Sequence, residues 1–283
     1  MTAALVRDAF NAVYVKIAAR FSAETTRIAR FIERRLQAML IGWAVLSLLA
    51  GGSKLLALVL AHPKLATPQY LPMLILPYLL IAAAPAAGFA LTTRCFADGA
   101  LAAQPVLRLA RFGHWQSVAP EVARRDPRFG VSGLMTSLVA GLLLSMVMRF
   151  GEYYLAMPAV PSMAPAWAVA VSRAMTLDLI FFSFLYAVCV TMALRAAPLF
   201  PRMLLYAWLC DITWQLAIAR VTIDAGGLPS EVATPLQFYL VANIKKVLIS
   251  MTIWLPYLLV SARVNLTFRQ RTRRLAESAV CIR

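Results

Sequence analysis

An all-α fold is what the sequence predicts: a polytopic membrane helical bundle of about six transmembrane helices plus a basic amphipathic N-terminal helix. Three observations lead there. The 283-residue chain is 61% apolar and only 14% charged, whereas soluble domains are nearer half apolar with about a quarter of residues charged. Apolar runs of about 20 residues, enough to cross a bilayer, recur along its whole length. Lys and Arg gather in alternate connections between those runs, as they do in multi-span proteins.

Residues 1–36 form the first unit, a cytoplasmic or interfacial amphipathic helix. Val6, Phe10, Val13, Ile17, Phe21, Ile28, Phe31, Ile32 and Leu36 recur at helical spacing, and only Glu24 interrupts the stripe. Arg7, Lys16, Arg20, Arg27, Arg30, Arg34 and Arg35 flank it. Basic flanks around an apolar face suit a helix lying on anionic lipid headgroups of the bilayer. The alternative is a helix packed on the protein's own loops or on a second copy.

The membrane domain follows over 37–262. Its spans are expected at about 37–61, 70–91, 131–155, 167–194, 198–220 and 238–261. The second carries Pro72, Pro77 and Pro85, which kink a helix and free carbonyls that neighbours must satisfy. Residues 157–166, rich in proline, divide the six into two groups of three. In the cytoplasmic loop 92–129, apolar and basic residues interleave from Val106 to Trp115, the pattern of a short surface helix. Residues 263–283 form a basic cytoplasmic tail.

Charge sets the orientation. Twenty-one of the 28 Lys and Arg residues lie in 1–36, 92–129, 195–203 and the segment from Ser261 onward. With six spans these four segments share one side, so both termini are expected in the cytoplasm. The net charge of +16 then reflects topology, and no nucleic-acid partner is expected. Arg outnumbers Lys by 23 to 5, a balance that fits a bacterial inner membrane. The four cysteines, Cys95, Cys189, Cys210 and Cys281, stand apart without metal spacing.

Trp254, Pro256, Tyr257, Ser261, Arg263, Val264, Thr267 and Phe268 stand in the pattern W-x-P-Y-x-x-x-S-x-R-V-x-x-T-F. This closing signature resembles that of a bacterial family of small polytopic inner-membrane proteins of unknown function, and the match covers roughly residues 237–268. The resemblance implies a helical membrane protein of about four spans beginning near a Gly-Trp pair, echoed here by Gly42-Trp43. Asn265 departs from the family's usual basic residue. No catalytic residue carries over.

Ionisable residues inside spans are costly and mark functional candidates. Lys54, Arg149, Glu152, Arg173, Asp178, Asp211, Lys245 and Lys246 form the candidate polar cluster, placed in the outer half of the bundle. Within it Arg149 and Glu152, three residues apart, are expected to pair locally. The other reading of the cluster is a set of ion pairs that hold helix register. Gly133, Ser137, Gly141 and Ser145 recur every fourth residue. Small residues at that spacing let another helix approach closely, and a partner helix within the same chain is expected.

Gly130-Val131-Ser132-Gly133 resembles the serine string of rhomboid intramembrane proteases. A nucleophilic serine needs a base within reach, and His62 and His114 both fall in loops, so glycine packing at a helix start is expected instead. The chain has no phosphate-cradling glycine loop, dinucleotide fingerprint or metalloprotease motif. No catalytic residue, cofactor or metal is expected. The leading functional expectation is a non-enzymatic membrane protein acting by assembly, with itself or with another membrane component. The alternative is a small-solute or ion transporter using the polar cluster.

Overall fold

The computed structural model describes residues 2–105, 113–161, 163–224 and 226–273, with side chains from residue 16 onward except 18 and 66. No proline or glycine occurs before Gly42, and nothing therefore breaks the first helix. α1 runs from Thr2 to Ala61 and stops at Pro63, which opens a short 3-10 turn over Pro63–Ala66. At about 1.5 Å per residue α1 is roughly 90 Å long, three times the ~30 Å hydrocarbon core. No break falls at residue 36, so the expected N-terminal helix and the first span are one continuous helix.

The apolar stripe of α1 also divides. Ile17, Phe21, Ile28 and Phe31 are exposed, while Thr25, Ala29, Ile32 and Leu36 are buried. Thr25 is the anchor: its hydroxyl accepts from the Gly133 amide at 2.8 Å, and its carbonyl accepts from the Thr136 hydroxyl at 3.2 Å. Val6, Phe10 and Val13 lie outside the described side chains.

The remaining long helices are α2 (Leu71–Cys95), α4 (Leu134–Ala156), α5 (Ala166–Leu194), α6 (Phe200–Asp224) and α7 (Ser230–Val260). The short ones are α3 (Pro120–Arg125) and α8 (Ala262–Arg269). Ala19–Ala61 of α1, together with α2, α4, α5 and α7, is long and apolar enough to cross a membrane. α6 is the exception, because it carries Arg202, Asp211, Arg220 and Asp224 within its 25 residues. α5, with buried residues along most of its length, forms the centre; α2, α4 and α6 pack round it. α1 lies against α2 and α4, and α7 against α6. The core of α4, α5 and α6 is built from large side chains such as Met135, Leu138, Phe182, Leu204 and Trp208.

All four basic segments meet on one face. Arg195, in the α5–α6 turn, donates to the Phe96 and Ala97 carbonyls after α2, at 3.1 and 2.8 Å. β1 (Trp115–Ser117) pairs antiparallel with β2 (Arg271–Arg273), and Gln270 donates to the Ala100 carbonyl at 2.7 Å. α6 therefore starts on this face and α7 returns to it. Trp115 belongs to a strand where a helix was expected; residues 106–112 of that expected helix lie outside the described residues.

The tail is also not simply a tail. α8 folds back under the bundle and buries Val264, Asn265, Leu266, Thr267 and Phe268, with the Phe268 ring 5.0 Å from that of Phe200. Most of the closing signature beyond Ser261 is thus packed side chains, which is why a charge-based reading took it for a solvated tail. Residues 274–283 lie outside the described residues.

α2 and α5 make the closest helix contact. A Cβ on Gly88 would lie 2.6 Å from the Phe184 carbonyl oxygen, whereas one on Gly141 would meet nothing within 4 Å. Gly88→Ala is therefore expected to cost about 1–3 kcal/mol through overpacking, and Gly141→Ala to be close to neutral. Thermal unfolding of the purified variants in one detergent checks this; equal melting temperatures would contradict the contact.

Candidate functional site

Three helices place their intramembrane charges at one point. Arg149 of α4 is buried, as are Asp178 and Asp211, which lie close to the middle of α5 and α6. Arg149 Nη1 donates to both oxygens of Asp178 at 2.9 and 2.8 Å. Its Nη2 donates to both oxygens of Asp211 at 2.8 and 2.6 Å. Charge-assisted guanidinium–carboxylate bonds are strong, and this arginine divides them, one terminal nitrogen to each aspartate.

Neutral groups complete the network. Tyr186 donates to Asp211 at 2.7 Å, and Gln215 donates to Asp178 at 2.9 Å and Asp211 at 3.3 Å. The Phe182 ring lies 4.6 Å from the Arg149 guanidinium carbon. The positions follow from helix geometry. Asp178, Phe182 and Tyr186 are four apart on one face of α5, and Asp211 and Gln215 are four apart on α6. Tyr186, Gln215 and Phe182 were absent from the sequence-derived cluster, although that spacing was available to find them.

The rest of the expected cluster disperses. Arg149 and Glu152 do not pair: two carboxylates draw Arg149 inward, and Glu152 instead accepts from Lys246 of α7. Lys246 also donates to Asn243 at 3.3 Å. Lys54 donates to the Met157 carbonyl and sits 5.6 Å from the centre of the Tyr154 ring. Arg173 and Lys245 are exposed and in no ion pair among the described residues. The cluster at the bundle centre is therefore Arg149, Asp178 and Asp211, with Glu152–Lys246 beside it.

The small-residue stripe is turned away from the core. Ser137, Gly141 and Ser145 are exposed, because Met135, Leu138, Val139, Leu142 and Met146 on the other side of α4 take the contact with the core. No helix of the chain covers the stripe among the described residues, which corrects the expectation of an internal partner. Gly133 does not continue it: its φ of 63° puts it ahead of α4, a conformation open to glycine.

Gly141 and Ser145 of the stripe lie in one wall of a groove between α4 and α7. The cavity there is about 280 Å³ and is lined by Gly141, Ser145 and Arg149 of α4, Asp211 of α6, and Asn243 and Lys246 of α7. Asn243 is 4% exposed, and its amide nitrogen has no hydrogen-bond partner among the described residues.

Elsewhere, the Ser132 hydroxyl accepts from Arg263, while His62 and His114 are exposed. The described residues contain no group of three metal-ligating side chains. Comparisons with family models, curated proteins and solved structures give no match for this chain.

Removing Arg149 strands two buried carboxylates. Arg149→Met is expected to cost about 3–5 kcal/mol and to lower the yield of monodisperse protein. Adding Asp178→Asn and Asp211→Asn to it is expected to restore most of the loss. Melting temperatures of the single and triple variants test this coupling; a triple variant less stable than the single one would contradict it.

Proposed function

We propose that this chain is a non-enzymatic, multi-pass membrane protein that acts by assembly: the groove between α4 and α7 receives a transmembrane helix from a second copy or another membrane component. One observation carries the reading. The stripe of Ser137, Gly141 and Ser145 faces outward, and Gly141 and Ser145 line a groove that no helix of the chain fills among the described residues. Small residues let two backbones approach within van der Waals contact, the main source of helix association in lipid. The Arg149 network holds α4, α5 and α6 in register and so keeps that wall in place. Asn243 and Ser145 give an arriving helix polar groups to bond.

The host membrane in this reading is the bacterial inner membrane. All six long helices cross it, and the four co-facial basic segments mark the cytoplasmic side, with both termini there. Those segments also attract anionic headgroups. Membership of the family that shares the closing signature rests on residues 254–268 and fits the same class of protein. Fusions of a cytoplasm-active fluorescent reporter and an exterior-active phosphatase to each terminus test the orientation; phosphatase activity at either end would sink it.

A second reading, transport of a small solute or ion, is favoured by one feature: the cavity reaches Arg149 and Asp211. Two carboxylates around one guanidinium leave the centre with an excess negative charge. In that case Asp211→Asn would abolish flux in proteoliposomes while leaving association intact.

The assembly reading is tested with Gly141→Leu and Ser145→Leu, both at positions with space around them. The protein extracted in mild detergent is expected to carry a stoichiometric partner or second copy. Each leucine variant is expected to lose it at least tenfold without a change in melting temperature. A wild-type monomer without partner, or variants that associate normally, would refute the assembly role.

A further inference from the structure

On the face where the basic segments meet, α6 and α7 end around a separate cavity of about 70 Å³. Arg202 reaches it from the first turn of α6, Arg269 from the end of α8 and Arg271 from β2, and Gln104 also lines it. Proline and leucine supply the rest of the wall, and no Asp or Glu lies in the lining among the described residues.

Three guanidinium groups therefore converge on this cavity. Arg269 donates to the Leu258 carbonyl at 2.8 Å and to the Asn265 amide oxygen at 3.0 Å. Arg271 donates to that same amide oxygen at 2.8 Å. The Arg202 side chain makes no hydrogen bond or ion pair among the described residues. The Gln104 amide nitrogen is buried with no partner among them. Burial, with Arg271 and Arg202 nearby, brings the Arg269 guanidinium down to about 10, so it remains charged at neutral pH. Like charges gathered in a partly desolvated site repel, and a buried donor without an acceptor is costly. An anion relieves both.

We propose that this cavity binds a phosphate group, carried by the headgroup of an anionic phospholipid or by a soluble phosphate ester. Guanidinium forks match phosphate oxygens geometrically, and Gln104 adds a neutral donor. The volume is several times the ~10–15 Å³ that one water requires, which leaves room for a tetrahedral oxyanion. Arg202 supplies the uncommitted charge, and Arg269 and Arg271 are held in position by Asn265. The site lies away from the α4/α7 groove, so it does not depend on the assembly reading.

Binding is measured on the full chain in mild detergent, with phosphatidylglycerol against phosphatidylcholine and, in a second arm, inorganic phosphate. The variants are Arg202→Gln and Gln104→Leu, with Arg124→Gln on the exposed face of α3 as the charge control. Melting temperatures are read first, and Gln104→Leu carries the test if Arg202→Gln fails to fold. Arg202→Gln is expected to weaken phosphatidylglycerol binding about tenfold and Gln104→Leu about threefold, with Arg124→Gln below about twofold. Competition by inorganic phosphate would assign the site to soluble phosphate; undiminished lipid preference in its presence would assign it to the headgroup. Equal losses for Arg202→Gln and Arg124→Gln, an unaffected Gln104→Leu, or no binding preference in either arm would overturn the proposal.

Discussion

Arg149 is held from two sides by carboxylates on different helices, and that arrangement constrains everything packed around α5. An unpaired ion costs several kcal/mol to bury, even after relaxation, so α4, α5 and α6 are tied to the one register that keeps all three charges together. Apolar contacts between lipid-embedded helices are far less selective, because lipid tails offer much the same environment as leucine. The network therefore gives specificity that Leu, Val and Met packing alone could not. It also accounts for α6, whose Asp211 makes it less apolar than its neighbours yet sits fully buried against Arg149.

The second constraint is small volume at close contacts. Gly88 lets α2 lie against the α5 backbone at Phe184. The stripe on α4 offers comparable room but is left open. One chain thus uses the same device twice, once internally and once toward its surroundings. The difference lies in what occupies the opposite side of each helix: α4 meets the core with its long apolar side chains and keeps its small ones outside.

Much of the architecture was legible in the sequence. Apolar run length located the helices, and segregated Lys and Arg identified the four segments that converge on one face. Arg149, Asp178 and Asp211 stood out because charge in a span is rare. Tyr186 and Gln215 did not, since an uncharged residue in a span is common, although helical spacing set them on the faces of Asp178 and Asp211. The continuity of α1 was readable from the absence of Gly and Pro before residue 42, yet the change from charged to apolar composition near residue 36 obscured it. The destination of Lys54, which meets a carbonyl and a ring instead of a carboxylate, depends on the loop after α4 and has no local signal. The fold of residues 262–273 was hidden by arginines whose stems and neighbours pack while their charges dominate composition.

The pairing of β1 with β2 has a consequence for how the molecule is made. Ser117 and Arg271 are partners across the clasp, yet four long helices separate them along the chain. During synthesis every membrane helix leaves the ribosome before β2 does. On the face bearing the basic segments, Arg195 can meet the Phe96 and Ala97 carbonyls before then, whereas the β1–β2 clasp waits for the final described residues. α8 seats Phe268 against Phe200 at the same stage, fastening the ends of α6 and α7. The end of the closing signature and β2 thus supply the contacts that come last along the described chain.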